Sequence, residues 1–253
     1  MEPDGTSVRI VLVKPRNPLN IAAAARAAQN FGFDDFVVVA PHPPVWEEAQ
    51  TAAAAGKWLR RARAVARLPE AIDDRNWVLG TSSFARRHPP EPQRALSLER
   101  LVSHWKRQKG RERIALLFGS EKRGLSNEDL SHCHAIVRIP ATERSPSMNL
   151  GQAVAVCCYE LRHLAAGRNR RRAAKPAASP AARAGEIARL TDELGRLLSE
   201  IEPSHAGKLR KRKERLRQML MRWSATSQDV ALLLGLVRDL SWHVRRTQVP
   251  PSA

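Results

Sequence analysis

The sequence is poor in cysteine and contains no long hydrophobic segment. Its three cysteines, two of them adjacent, form no CxxC pair, which argues against a disulfide scaffold and a cysteine-rich zinc site. The longest apolar run, Val230–Val237, has eight residues and includes a glycine, whereas a membrane-spanning helix needs about 20 residues. The first residues, MEPDGTSVRI, lack the basic-then-apolar order of a signal peptide. We therefore expect a cytoplasmic protein that needs no metal and enters no membrane.

Acidic residues are also scarce, and the resulting positive charge is unevenly distributed. The chain has 43 Lys and Arg against 25 Asp and Glu, a net charge of +18, so we expect a polyanionic partner. Residues 1–165 carry 24 basic and 17 acidic side chains, while residues 166–253 carry 19 and 8. The change in composition predicts an α/β domain over 1–165, a flexible basic linker over 166–184 and a small all-α domain over 185–248.

The first domain alternates short apolar runs with segments of helical pattern. The runs are rich in Val, Ile and Leu without polar alternation, which is typical of parallel strands buried on both faces. Asn20 is a candidate N-cap of the first helix, and Gly32 fits its C-terminal end. The pattern predicts strands at Val8–Val13, Phe36–Ala40, Trp77–Gly80, Ile114–Phe118 and Ala135–Ile139. It predicts helices at Ile21–Asn30, near Glu47–Ala55, Leu98–Lys106 and Asn127–Ser131, and from Leu150 to about Leu164.

The last domain is predicted to be helical throughout. Apolar residues recur at three- and four-residue steps within 187–201, 209–223 and 230–244, which gives each helix one apolar stripe. Pro203 ends the first helix, and Thr226 with Asp229 forms a possible capping box for the third. Three such helices predict a small bundle or an antiparallel coiled coil.

The middle helix of this domain carries a dense positive charge. Gly207–Arg217 contains seven basic residues and one acid, and like charges this close repel one another. A solvated surface would tolerate such a cluster, but contact with RNA or DNA phosphates explains it better. We predict that Lys208, Arg210, Lys211, Arg212 and Lys213 bind RNA.

The loops after the predicted strands are the candidate ligand sites, because ligands bind beyond the carboxyl ends of the strands in open α/β sheets. Gly119–Gly124 has the glycine spacing of a P-loop, but Leu125-Ser126 stands where that loop has Lys-Ser/Thr. No GxGxxG follows the first strand, and no GxSxG occurs. Spacing alone therefore indicates a cluster of ligand-binding loops whose chemistry it does not name.

Three segments in these loops resemble the motifs of a known family. Asn20 followed by Arg26, then LLFGSEKRGLSNEDL (Leu116–Leu130), then Ser147-Met-Asn-Leu-Gly-Gln-Ala-Val154 are similar, in this order, to the SpoU/TrmH family of SPOUT methyltransferases. The basic C-terminal helices and the stretch HCHAIVRIPAT resemble its TrmJ branch most. The resemblance implies a mostly parallel SPOUT sheet with a C-terminal trefoil knot, and a homodimer. It also implies S-adenosyl-L-methionine-dependent 2′-O-methylation of a pyrimidine nucleotide in the tRNA anticodon loop.

The same resemblance assigns roles to single residues. Arg26 is the expected catalytic arginine, which also contacts RNA, with Asn20, Ser147 and Asn149 as its supporting residues. Because a guanidinium stays protonated, we interpret Arg26 as an orienting and charge-stabilising group rather than a base. Glu121 is expected to brace the loops. The expected cofactor-binding residues are Thr81, Ser82, Ser83, Gly119, Glu121, Gly124, Ile139, Pro146, Ser147 and Met148.

Two alternatives stay open at the level of sequence. The first is that the methylated substrate is ribosomal RNA, which the motifs do not exclude. The chain is also compatible with a SPOUT-fold protein that binds RNA without catalysis, although the retained Arg26, Ser147 and Asn149 argue against that. Two positions depart from the family pattern: Ala22 replaces a glycine, and Pro146 stiffens the third motif and removes one N–H donor.

Overall fold

Seven parallel strands form one sheet at the centre of the protein. The computed structural model describes residues 7–51, 56–82, 94–98, 101, 113–142, 144–168, 180–201 and 206–248. The strand order is β3-β2-β1-β6-β4-β7-β5, and each neighbouring pair is parallel. The strands are β1 (Ser7–Val13), β2 (Asp35–Val39), β3 (Arg63–Val65), β4 (Trp77–Ser82), β5 (Arg94–Ser97), β6 (Arg113–Phe118) and β7 (Ala135–Arg138).

Helices cover both faces of this sheet. Those among the described residues are α1 (Pro18–Asn30), α2 (Pro43–Thr51), α3 (Gly56–Leu59), α4 (Leu68–Ile72), α5 (Asn127–Ser131), α6 (Leu150–Arg168), α7 (Ala184–Ile201), α8 (Ala206–Trp223) and α9 (Ser227–Gln248). No helix in the described ranges is long and apolar enough to cross a membrane.

The predicted α/β class and all five predicted strands are confirmed, each with its ends within two residues of the prediction. The sequence pattern missed β3 and β5, which have three and four residues and form the two edges of the sheet. Strands this short give no clear hydrophobic pattern. The predicted helix Leu98–Lys106 lies largely outside the described residues, as do residues 52–55 and Pro203.

The predicted N-cap of α1 was wrong by three residues. Asn17 caps this helix, because its side chain accepts hydrogen bonds from the backbone N–H groups of Leu19 and Asn20 at 2.9 and 3.3 Å. Pro18 occupies the first helical position, where its missing N–H costs nothing. Asn20 therefore lies within the first turn, and its side chain is available for another contact. At the other end, Gly32 has φ +76°, as expected of a residue that follows a helix.

Two hydrophobic cores lie on opposite faces of the sheet. In β1, Ile10 and Leu12 belong to the core beneath α1 and α6, whereas Val11 and Val13 belong to the core on the other face. This confirms the double burial inferred from the unbroken apolar runs. Ala22 is 4% exposed and packs in the first core, so its methyl group serves helix–sheet packing.

The C-terminal helices complete the second core. Ile187 and Leu190 of α7, Leu220 of α8 and Val230 of α9 are buried in the same cluster as Val11. The three predicted C-terminal helices are confirmed, as is the capping box of α9, in which Thr226 and Asp229 exchange hydrogen bonds. Within the predicted linker 166–184, α6 continues to Arg168, and Ala182 is buried. Residues 169–179 lie outside the described part.

A partly buried polar contact joins α8 to the end of α5. The Arg217 guanidinium donates to Ser131 Oγ at 3.0 Å and lies 2.7 Å from His132 Nε2. Burial and then the positive charge of Arg217 lower the pKa of His132 to about 3, so the neutral ring can accept this hydrogen bond. Arg217 therefore does not belong to the exposed basic surface of α8. It holds α8 against α5, the helix that follows the Gly119–Gly124 loop.

Candidate active site at the carboxyl ends of β4, β6 and β7

A cavity of about 550 Å³ opens where β4, β6 and β7 end. Its volume lies within the usual range for small-molecule sites, roughly 300–1,000 Å³. Residues from all three strand-end segments form its wall, and they are Thr81, Ser82, Phe118, Gly119, Ser120, Glu121, Lys122, Arg123, Gly124, Leu125, Ile139, Ala141, Pro146, Ser147, Met148, Leu150 and Ala153. The wall combines backbone groups, hydroxyls and apolar side chains, a mixture that suits an amphipathic ligand.

The loop after β6 is folded tightly on itself. Gly124 has φ +65°, and its N–H donates to the carbonyl of Ser120 at 2.8 Å. A Cβ on Gly119 would overlap the Gly124 carbonyl carbon and the Leu125 nitrogen, so only glycine fits there. Ser126 then starts α5 in a capping box with Asp129. At Gly119 the loop therefore lines the cavity with backbone atoms alone.

The segment before α6 is held by the side chain of Asn149. Its Oδ1 accepts hydrogen bonds from the N–H groups of Gly151 and Gln152 at 2.9 and 3.4 Å, which caps the helix. Its Nδ2 consequently points the other way and donates to Asn20 Oδ1 at 2.9 Å. Gly151 lets α6 approach α1, since a Cβ there would lie 2.7 Å from the Cβ of Ala23.

Glu121 continues this chain of hydrogen bonds into the third segment. Its Oε1 accepts from Asn20 Nδ2 at 3.0 Å and from the Asn17 N–H at 3.2 Å, while Oε2 accepts from the Arg16 N–H at 3.0 Å. Since Asn149 sets the orientation of Asn20, the amide of Asn20 can only donate towards Glu121. Asn149, Asn20 and Glu121 thus connect the start of α6, the start of α1 and the loop after β6.

These donors stabilise the ionised form of Glu121. Burial by itself raises the pKa of the carboxyl, but the hydrogen bonds from Asn20 and from backbone N–H groups outweigh it and lower the pKa below its ordinary value. The carboxylate is therefore charged at neutral pH and holds two loops together.

We expect Glu121→Gln to lower the free energy of unfolding by about 1 kcal/mol at neutral pH, because the amide replaces an acceptor by a donor that faces N–H groups. A carboxyl with a lowered folded-state pKa stabilises the fold above its unfolded-state pKa, near 4.5, and this contribution is lost as the pH falls through the lowered value. Urea unfolding between pH 2 and 7 would test this, with the exposed Glu47→Gln as control. A difference that stays constant to pH 2 would contradict it.

The structure brings most of the predicted cofactor-binding residues to one cavity. Thr81, Ser82, Gly119, Glu121, Gly124, Ile139, Pro146, Ser147 and Met148 all line it, whereas Ser83 lies outside the described residues. Thr81 and Ser82 belong to the end of β4 rather than to the loop after it, and the Thr81 hydroxyl donates to the Leu117 carbonyl at 2.9 Å.

The four predicted catalytic residues are placed less uniformly. Ser147 lines the cavity, while Asn20 and Asn149 form the hydrogen-bonded pair beside it. Arg26 is exposed on α1, about 9 Å along the helix axis from Asn20, and does not belong to the cavity wall. Three further residues of the site, Asn17, Lys122 and Arg123, were not predicted from the sequence. The Asn-Pro pair at 17–18 was the signal for a helix start, and the two cations lie within the second motif.

The predicted RNA-binding residues of α8 divide into two groups. Arg210, Lys211 and Arg212 are exposed, although Arg210 lies 3.4 Å from Glu214. Lys213 instead turns towards α7, where its ammonium lies 2.5 Å from the Asp192 carboxylate. Lys213 lies on the same side of α8 as the apolar stripe, and it therefore links α8 to α7. The side chain of Lys208 lies outside the described part.

Residues that commonly bind metals do not cluster in the part of the chain described here. No group of three or more His, Cys, Asp or Glu side chains is placed to hold a metal ion in these ranges. The three cysteines are buried thiols that form no disulfide, and burial raises the pKa of the Cys158 thiol to about 12. They therefore pack as small apolar side chains.

Comparisons with known proteins agree with this geometry. A family model described as the SpoU rRNA Methylase family matches residues 7–159. The tRNA (cytidine/uridine-2′-O-)-methyltransferase TrmJ of Sodalis glossinidius is 30% identical over 251 residues, which covers 96% of this chain and 94% of that protein. The enzyme of the same name from Pectobacterium atrosepticum is 30% identical over 92% of this chain and 96% of its own length.

A solved structure extends the similarity to the C-terminal helices. The crystal structure of TrmJ from Z. mobilis ZM4 superposes with a TM-score of 0.75 at 27% identity, and the match covers 92% of this chain and 98% of that one. The fold is therefore that of a SPOUT methyltransferase with a helical C-terminal extension, while the knot stays a prediction. On its motifs, its cavity and these matches, the chain belongs to the SpoU methylase family and, within that family, is TrmJ-like.

Proposed function

We propose that this protein transfers a methyl group from S-adenosyl-L-methionine to the ribose 2′-hydroxyl of a cytidine or uridine in tRNA, within the anticodon loop. The observation that carries the proposal is the meeting of three separated motifs at one cavity through Asn149, Asn20 and Glu121. The nucleotides follow from the names of the relatives, which match nearly the whole chain.

The cavity residues suit S-adenosyl-L-methionine. Because Gly119 has no side chain, the loop after β6 folds tightly enough for its backbone to line the cavity, and Thr81, Ile139 and Met148 supply both polar and apolar wall. Backbone groups at these positions would hold the adenine and ribose. When bound, the cofactor supplies a methyl group already activated by a sulfonium, so the protein has mainly to align the acceptor oxygen.

Residues of the chain would bind the ribose hydroxyl and the RNA backbone. Ser147 at the cavity wall offers a neutral hydrogen bond to the ribose hydroxyl. Because Arg26 is exposed and lies outside the cavity wall, we assign its guanidinium to a contact with the RNA, in which it orients a phosphate and stabilises developing charge. Lys122 and Arg123, both exposed on the wall, are placed to contact the RNA backbone.

A homodimer is part of this proposal. Leu19 of α1 and Tyr159 of α6 are 69% and 50% exposed, although they lie on two helices that pack together. Apolar side chains this exposed on neighbouring helices favour a partner surface. Sedimentation of the purified protein would test this, and a monomer at micromolar concentration would contradict it.

Two measurements test the enzyme assignment. Calorimetry with S-adenosyl-L-methionine alone should give one binding event, and its absence would leave only the RNA-binding alternative. Mass-spectrometric mapping of ribose methylation in total RNA, from cells with and without this protein, should show one tRNA anticodon-loop position that depends on it. A dependent site in ribosomal RNA would reassign the substrate.

The exposed cations of α8 provide a test of tRNA binding. We expect Lys211→Gln and Arg215→Gln each to reduce the slope of log affinity against log salt concentration by about 0.7 to 0.9, the value for one lost phosphate contact. Lys213→Gln is the matched control, because Lys213 is already paired with Asp192. Slopes that are the same in all three variants and the native protein would remove α8 from the RNA-binding surface.

A further inference from the structure

One face of α8 combines four cations with an exposed tryptophan. At about 100° per residue, Lys211, Arg212, Arg215, Arg222 and Trp223 fall within an arc of roughly 120°. All five side chains are exposed, with Trp223 at 62%. The single acid of this helix, Glu214, lies off the arc and is near Arg210. We call these five residues the α8 face.

Trp223 contributes little to the packing of the helices. The buried side of α8 near its C-terminus is formed by Leu220 and Met221, which are 2% and 1% exposed. Trp223 is the last residue of the helix, and Ser224 follows with φ +54°, where the chain turns towards α9. An indole left in water keeps a large apolar surface hydrated, which is unfavourable unless a partner covers it.

A second exposed tryptophan shows how such a ring is covered within the chain. Trp242 of α9 is 54% exposed, but the Arg246 guanidinium lies 4.4 Å above its ring centroid, and His243 meets it edge-on at 4.9 Å. Within the described ranges, neither a guanidinium nor another ring is stacked on Trp223 in this way. Its cationic neighbours instead lie along the helix beside it.

We propose that the α8 face binds a single-stranded stretch of RNA, with the Trp223 indole stacked on one unpaired base and the flanking cations on phosphates. An indole bounded by positive charge matches a nucleotide, which has a flat base beside an anionic phosphate. A base inside a duplex is already stacked on both sides, so only a loop or a free end can offer one. The inference rests on the proposed function to the extent that the substrate is RNA.

The test compares three variants on two RNAs. Fluorescence anisotropy would measure binding of the full-length native protein, W223L, W223F and W242L to a tRNA transcript and to a fully paired RNA duplex of equal length. We expect W223L to bind the transcript about 5- to 150-fold more weakly, the range for one lost base–aromatic stack. W223F should retain most of the affinity because it keeps an aromatic face. W242L should bind like the native protein.

The duplex and the thermal unfolding curves separate stacking from other causes. W223L should bind the duplex as tightly as the native protein does, and it should unfold at the native temperature because the side chain is exposed. Native-like binding of W223L to the transcript would overturn the inference, as would an equal loss on both RNAs or an equal loss in W242L. If native protein methylates tRNA while W223L binds normally, only this inference fails. If native protein neither binds nor methylates tRNA, the proposed function fails.

Discussion

Gly119→Ala is expected to abolish cofactor binding. The new Cβ would overlap backbone atoms of Gly124 and Leu125, neither of which can move away as the end of a flexible side chain could. The loop after β6 must therefore open, and it forms a large part of the cavity wall. Displacements near 1 Å in a positioned site lower the rate of catalysis by on the order of 100-fold. We expect a loss of affinity for S-adenosyl-L-methionine of at least this size, which calorimetry would measure.

Gly235→Ala is the matched control for this variant. Gly235 lies within α9, and a Cβ there meets nothing within 4 Å. Alanine in a helix interior is favoured over glycine by about 0.5–1 kcal/mol, so this variant should be slightly more stable than the native protein and bind the cofactor normally. Native-like cofactor binding by Gly119→Ala would show that the cofactor does not use the tight loop.

Arg26→Ala is expected to remove methyl transfer while cofactor binding survives. The side chain lies outside the wall of the cavity, so its loss should leave the affinity for S-adenosyl-L-methionine unchanged. Removal of a preorganised group that stabilises developing charge lowers turnover by about 100- to 1,000-fold. Single-turnover methylation of a tRNA transcript, with calorimetry on the same preparation, would measure both quantities.

Arg60→Ala provides a control for the loss of one exposed guanidinium. Arg60 follows α3 and is likewise exposed, so its removal should change tRNA binding only through the overall charge. If Arg26→Ala turns over at a near-native rate, catalysis must be reassigned to other residues. If it loses cofactor affinity as well, Arg26 has a structural role at the cavity.

The sequence could predict the site residues that share one motif, but not the contacts between motifs. Gly119 and Glu121 lie in one contiguous motif, so their membership of a site could be inferred from order along the chain. The contact between Glu121 and Asn20 could not, because the two residues are 101 positions apart and meet only through the order of the strands. The N-cap was misassigned to Asn20 for the same reason, since its amide is engaged by Asn149 and Glu121 instead.

Burial caused the other differences between expectation and structure. Lys213 and Arg217 belong to the basic run in sequence, yet one pairs with Asp192 and the other is enclosed against His132. The amino-acid composition does not distinguish such charges from exposed ones, because it contains no information on which side of a helix packs against another helix. The shared core of the C-terminal helices and the sheet likewise depends on packing between segments far apart in the chain.

The sequence by itself determined the α/β class, the five longer strands, the three C-terminal helices and the motif loops, because each depends on local periodicity or on contiguous residues. Only the tertiary structure decided which loops share a cavity, that Arg26 stands outside it, and which cations of α8 face solvent. Those properties depend on the parallel order of the strands and on the docking of α8 against α5. Contacts of that kind join residues that no local pattern relates.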